Sequence, residues 1–103
     1  MDADLHVVDE PERNRYEGRL GEEVAGFVDY HLQPGLMTLL HTEVDRSHEG
    51  RGIGSRLIQG VLDDVRARGL RVLPVCPFVL AFLERHPEHE PLVWKPPAGE
   101  AAS

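Results

Sequence analysis

The sequence lacks the features that mark disulfide-rich, membrane-bound and metal-cluster proteins. Cys76 is the only cysteine among 103 residues, which excludes an internal disulfide and a cysteine-cluster metal site. No stretch approaches the ~18 consecutive apolar residues of a membrane-spanning helix. The first residues are acidic, where a signal peptide would be basic. We therefore expect a cytoplasmic protein that does not bind a membrane.

Positive charge is also scarce. The chain has 11 Lys and Arg against 18 Asp and Glu, a formal net charge of −7. Affinity for a nucleic-acid backbone comes from clustered cations, so this balance argues against nucleic acid as a partner. Arg46 and Arg51 nevertheless flank a glycine-rich turn, where they suit a phosphorylated ligand.

The length and composition are those of one small globular domain, with 41% apolar and 28% charged residues. We place this domain at residues 14–94. Residues 1–13 form either an edge strand or a frayed segment. Residues 95–103 are polar and rich in proline, and we predict them to be disordered.

Two alternating segments predict a β-hairpin. Residues 24–32 alternate in polarity, and a Pro-Gly turn separates them from a second strand over 36–44. On the second strand, we predict that Met37, Leu39, His41 and Glu43 share one face and that the residues between them occupy the other.

A helical pattern follows over 53–68, with apolar residues repeating every four positions and Gly69 as its C-terminal stop. Residues 70–75 then predict a strand, parallel to the earlier one because a helix connects them, and a second helix runs from Pro77 to about His86. We therefore predict an α/β (α+β) fold, in which a mixed, mainly antiparallel sheet carries a hairpin and then a β-α-β-α unit.

The most informative segment is the turn before the first helix, residues 49–55. Gly50, Gly52 and Gly54 allow a tight turn and a close approach to a ligand, and the following helix N-terminus offers free N–H groups to an anion. A nucleotide P-loop requires a Gly-Lys-Ser/Thr ending that is missing here. The glycine spacing also fits the dinucleotide fingerprint poorly.

This turn resembles the cofactor signature of the GNAT superfamily of acyl-CoA-dependent N-acyltransferases, Gln/Arg-x-x-Gly-x-Gly/Ala. Glu49 stands where that signature has Gln or Arg, while Gly52 and Gly54 match. The resemblance extends over about residues 15–93 and is that of a compact GNAT subfamily. It includes the segments His41–Val44, Asp63–Asp64, Gly69–Leu70, Val75–Phe78 and Arg85–Pro87.

The resemblance implies that acetyl-CoA places its pyrophosphate on this turn and its pantetheine arm between the strand ends at Val44 and Val75. It implies no metal, and the histidines at positions 41, 48, 86 and 89 show no ligand spacing. The expected cofactor-binding residues are Thr42, Val44, Arg46, Gly50, Arg51, Gly52, Ile53, Gly54, Ser55, Cys76 and Phe78.

Catalysis departs from the usual pattern of the superfamily. The leaving-group acid is commonly a tyrosine in the helix after the last crossover strand, whereas the only tyrosines here, Tyr16 and Tyr30, lie upstream. Cys76 stands at that strand-to-helix junction. Its candidate roles are the leaving-group acid, an acyl acceptor, or a small buried residue beside pantetheine. His41 is the candidate base, with a structural hydrogen-bonding role as the alternative.

The resemblance therefore predicts an acetyl-CoA-dependent N-acetyltransferase, in which an amine attacks the thioester directly. Its partners are acetyl-CoA and an amine acceptor that the sequence does not identify. The alternative is a non-catalytic acyl-CoA-binding module, which the missing downstream tyrosine favours.

Overall fold

A five-stranded sheet, with its strands in sequence order, forms the framework of the protein. The structure is a computed structural model and describes residues 4–50 and 52–96. The strands are β1 (Leu5–Glu10), β2 (Arg15–Leu20), β3 (Glu23–Gln33), β4 (Leu36–Val44) and β5 (Arg71–Pro74), and the helices are α1 (Ile53–Ala67) and α2 (Pro77–Arg85). Short 3₁₀ segments cover Pro11–Arg13, Arg46–His48 and Pro87–Leu92.

Neighbouring strands from β1 to β4 pair antiparallel, and β4 pairs parallel with β5. This confirms the predicted mixed sheet, the hairpin and the β-α-β-α order. Residues 5–10 form the strand at the edge of the sheet, next to β2. Of the predicted C-terminal tail, residues 97–103 lie outside the described part of the chain.

The core lies between the sheet and one layer of helices. Leu57, Val61 and Val65 form the fully buried stripe of α1, and Val79 and Phe82 of α2 belong to the same cluster of buried side chains. Both helices therefore cover one face of the sheet, which we call the inner face. The other, outer face carries no helix within residues 4–50 and 52–96. None of the helices in that part of the chain is long and apolar enough to cross a bilayer.

A β-bulge interrupts the predicted alternation of β4. Asp29 pairs with His41 and the next residue, Tyr30, pairs with Leu39, so Leu40 is the extra residue. The prediction of one unbroken face through Met37, Leu39, His41 and Glu43 is therefore wrong. Beyond the bulge, Thr42 and Val44 point to the inner face.

A polar cluster fastens the C-terminal end of α1 to the sheet. The Tyr16 hydroxyl donates to Asp64 at 2.5 Å, and the Tyr30 hydroxyl donates to Asp9 at 2.6 Å. Arg68 donates to Asp9, Tyr16 and Asp64 at 3.1–3.3 Å. The cluster joins α1 to β1, β2 and β3 at the end away from the glycine turn.

This cluster predicts a loss of stability in alkali. Burial and the hydrogen bond to Asp9 raise the pKa of Tyr30 from 10.0 to about 12. The neutral phenol therefore stabilises the fold fully below pH ~10, and this contribution is lost as pH rises through about 12. We expect the free energy of unfolding in urea to fall over this range, and to fall less steeply in Tyr30→Phe. Equal slopes in the two proteins would contradict this.

Candidate active site

A cleft of about 460 Å³ opens at the N-terminus of α1. It lies between the end of β4, the glycine turn and the first turns of α2. Most of the predicted cofactor-binding residues meet there. The cleft is lined by Thr42, Val44, His48, Glu49, Gly50, Gly52, Ile53, Gly54, Ser55, Phe78 and Arg85.

The turn leaves the helix N-terminus without a side-chain cap. Gly50 and Gly52 have φ of +85° and +72°, in the left-handed region that glycine adopts at little cost. Gly52 is the N-cap of α1, and the first helical hydrogen bond runs from the Arg56 N–H to its carbonyl. The N–H groups of Ile53, Gly54 and Ser55 therefore precede the helical ladder, an arrangement that suits a phosphate group.

The second feature of the cleft is the opening between β4 and β5. Their ladder ends where Leu39 pairs with Pro74. The N–H groups of Val75 and Cys76 both donate to the Leu39 carbonyl at 3.0 Å. Past this point the two strands separate, so residues 40–44 of β4 have no partner on β5. The edge of β4 that faces the opening is available for an extended ligand.

Cys76 lies at the closed end of this opening. It is the N-cap of α2 and is only 3% exposed, and its Sγ donates to Thr42 Oγ1 at 3.3 Å. Burial acts to raise the pKa of the thiol. When the thiol is ionised, the Thr42 hydroxyl and the N–H groups of Val79 and Phe78 donate to the thiolate, and these hydrogen bonds outweigh burial, so the pKa of Cys76 lies below its ordinary value.

His41 lies on the outer face of β4, away from the cleft. Its Nε2 is 3.0 Å from Glu43 Oε2, and both side chains are more than half exposed. The Phe27 ring stands edge-on to the imidazole, with 6.3 Å between ring centroids. The sheet therefore separates the two candidate catalytic residues, with Cys76 on the inner face and His41 on the outer face.

Three of the expected cofactor residues lie elsewhere or are not described. Arg46 lines a neighbouring cleft with Glu43 and Asp45, while Cys76 contacts Thr42 without lining the cleft itself. Arg51 lies outside the described residues.

The structure also adds residues that the sequence reasoning missed. Arg85 lines the cleft. It lies seven residues after Phe78 on the same helix, a spacing that places both residues on one face and could have predicted its position. His48 gave no such signal, because its hydrogen-bond partner, Glu23, lies in the distant strand β3. No group of three potential metal ligands occurs in the described ranges 4–50 and 52–96.

These features fit the expected acetyl-CoA. The uncapped helix N-terminus suits its pyrophosphate, the opening beside β4 suits its narrow pantetheine arm, and a polarised thiol lies where that arm would end. The fit rests on the chemistry of the groups that line this cleft and of the buried thiol that is hydrogen-bonded to Thr42.

Comparisons with known proteins agree with this assignment. Residues 15–92 match the sequence profile of a family described as GCN5-related N-acetyl-transferase. A comparison with curated protein sequences gave no match.

Solved structures with the same fold include a GCN5-like protein from Staphylococcus aureus, described as a candidate N-acetyltransferase. It has a TM-score of 0.67 at 18% identity over 96% of this chain and 97% of that chain. The ribosomal-protein-S18-alanine N-acetyltransferase of Escherichia coli gives 0.59 at 18% identity, over 69% of this chain and 49% of its own. A candidate phosphinothricin N-acetyltransferase gives 0.53 at 21% identity, over 75% and 53%.

The contact between Gly54 and Phe78 yields a prediction about the shape of the cleft. A Cβ at position 54 would lie 2.4 Å from Phe78 Cζ, so Gly54→Ala must displace the ring. We expect coenzyme A affinity, measured by calorimetry, to fall by about tenfold. In a Phe78→Ala background, Gly54→Ala should then cost nothing further.

Gly60→Ala is the matched control for this prediction. Gly60 lies on the same helix as Gly54 but outside the cleft. A Cβ added at position 60 would lie 2.4 Å from Val7 Cγ2. This variant should lose stability and keep its affinity. An unchanged affinity in Gly54→Ala would show that the ring does not shape the binding site.

Proposed function

The chain belongs to the GCN5-related N-acetyltransferase family, and on this premise we propose that it transfers an acetyl group from acetyl-CoA to an amine. The observation that carries the proposal is the cleft that joins an uncapped helix N-terminus to an open strand edge, where Thr42 in the cleft wall is hydrogen-bonded to the buried thiol of Cys76. Family membership favours this transferase over a module that only holds acyl-CoA.

The binding roles follow from the groups that line the cleft. Backbone N–H groups of Ile53, Gly54 and Ser55 hold the pyrophosphate, and residues 40–44 of β4 offer backbone hydrogen bonds to the pantetheine amides. Arg85 adds a cation to the same wall. When bound, acetyl-CoA supplies the acetyl group as an activated thioester.

The acid and base roles fall on opposite faces of the sheet. His41 takes a proton from the acceptor amine at its imidazole, and the Glu43 carboxylate at 3.0 Å stabilises the imidazolium that results. Cys76 holds a transferable proton at Sγ, shared with the Thr42 hydroxyl. A thiol of lowered pKa releases that proton more readily than an ordinary cysteine.

The acceptor amine approaches from the outer face in this proposal. No helix covers that face in the described ranges, and His41 is exposed on it. An open face admits an amine on a small molecule or on the surface of a macromolecule. The formal charge of −7 favours an acceptor that is cationic.

We expect acetyl-CoA and a panel of amines to release free coenzyme A thiol in the presence of the protein. His41→Gln and Cys76→Ala should each lower kcat by about 100-fold, which is the range of general acid–base catalysis. Coenzyme A affinity, measured separately by calorimetry, should change little in either variant.

His31→Gln is the control, because His31 is exposed on β3 and outside the proposed machinery. Full turnover in Cys76→Ala would remove the thiol from the mechanism. Coenzyme binding without thiol release from any amine would instead support the non-catalytic module.

A further inference from the structure

His48 contains a polar atom that the fold leaves without a partner. Its Nδ1 is the one buried side-chain nitrogen or oxygen, among residues 4–50 and 52–96, that has no hydrogen bond. The residue is 8% exposed and ends the 3₁₀ segment before the glycine turn. Buried polar groups are nearly always paired, so an unpaired one at a ligand cleft calls for a functional explanation.

The opposite side of the ring is fixed. His48 Nε2 lies 3.0 Å from Glu23 Oε2. An ionised carboxylate only accepts hydrogen bonds, so Nε2 carries a proton. Nδ1 is therefore a bare lone pair when the imidazole is neutral, and a second N–H donor when it is protonated.

The location of His48 decides between these two forms once an anion is bound. The residue lines the cleft together with Gly50, Gly52 and the first turn of α1, where the pyrophosphate is proposed to bind. A lone pair facing phosphate oxygens is repulsive, whereas an N–H donor forms a charge-assisted hydrogen bond. Phosphate at this position thus favours the imidazolium.

We propose that His48 binds the coenzyme pyrophosphate as an imidazolium, with Nδ1–H donating to a phosphate oxygen and Nε2–H donating to Glu23. Coenzyme binding then takes up a proton. The inference rests on the proposed function, since it assigns a further binding residue to the same site.

Several charged groups lie around His48. Glu23 faces it from β3, and Asp45 and Glu49 belong to its own turn. Hydrogen bonds from Ser47 lower the pKa of Asp45, which therefore stays ionised. Among the residues that the structure describes, Arg85 of α2 brings a positive charge to the same cleft.

Glu49, next to His48 in the chain, adds a negative charge to the cleft. It stands where the cofactor signature of the GNAT superfamily has Gln or Arg, and it places a carboxylate in the wall of the proposed anion site. A protonated His48 beside it offsets that negative charge. The residue that departs from the family signature and the residue with the unpaired nitrogen are thus neighbours in the chain.

The test is calorimetry with dephospho-coenzyme A. This ligand keeps the pyrophosphate but lacks the 3′-phosphate, whose own ionisation near pH 6 would overlap that of histidine. Titrations in two buffers of different ionisation enthalpy count the protons taken up. We expect uptake of up to about one proton by the wild type near pH 7.5, with affinity falling about tenfold from pH ~6 to ~8.

His48→Gln keeps an amide near the Nε2 position, so it can still bond Glu23, but it has no group that titrates. It should bind about tenfold more weakly near pH 6, with no proton uptake and no pH dependence. Glu23→Gln, at an exposed position, keeps the fold and removes the stabilising carboxylate. The pH dependence of its affinity for dephospho-coenzyme A should shift to lower pH. This result tests the proposal even if His48→Gln fails to fold.

The exposed His31→Gln is again the matched control and should behave as the wild type. Proton uptake that persists in His48→Gln, or a wild type that binds without uptake, would overturn the inference and leave the proposed function intact. A wild type that binds neither dephospho-coenzyme A nor coenzyme A would refute both.

Discussion

The site depends on the point where the ladder between β4 and β5 stops. Leu39 pairs with Pro74, and its carbonyl accepts hydrogen bonds from the N–H groups of Val75 and Cys76. The bulge at Leu40 follows directly. Proline cannot extend the ladder, and the bulge turns the following residues of β4. β4 and β5 therefore separate beyond Leu39 and Pro74 while their preceding residues remain paired, and this separation opens a gap in the sheet.

The bulge also decides which side chains face the opening. It turns Thr42 and Val44 to the inner face, where Thr42 meets Cys76, and leaves His41 and Glu43 on the outer face. The two candidate catalytic residues, Cys76 and His41, thus lie on opposite faces of the sheet. Since no helix covers the outer face in the described residues, the proposed acceptor has direct access to it.

The two ends of α1 serve different purposes. Its C-terminal end is fixed by hydrogen bonds that join Arg68 and Asp64 to Tyr16 of β2 and Arg68 to Asp9 of β1. Its N-terminal end has no side-chain cap and borders the cleft. Stability is concentrated at one end, so the backbone N–H groups at the other remain free for a ligand. The unpaired Nδ1 of His48 lies at that same free end.

The sequence by itself determined the elements and the glycine turn, because helical periodicity, proline and glycine positions act locally. The helix boundaries, the hairpin and the parallel fifth strand followed from these signals. Only the tertiary structure decided the bulge at Leu40, the separation of Cys76 from His41, and the burial of His48 beside Glu23. These depend on strand register and on contacts between distant segments, and one extra residue in a strand reverses every face after it.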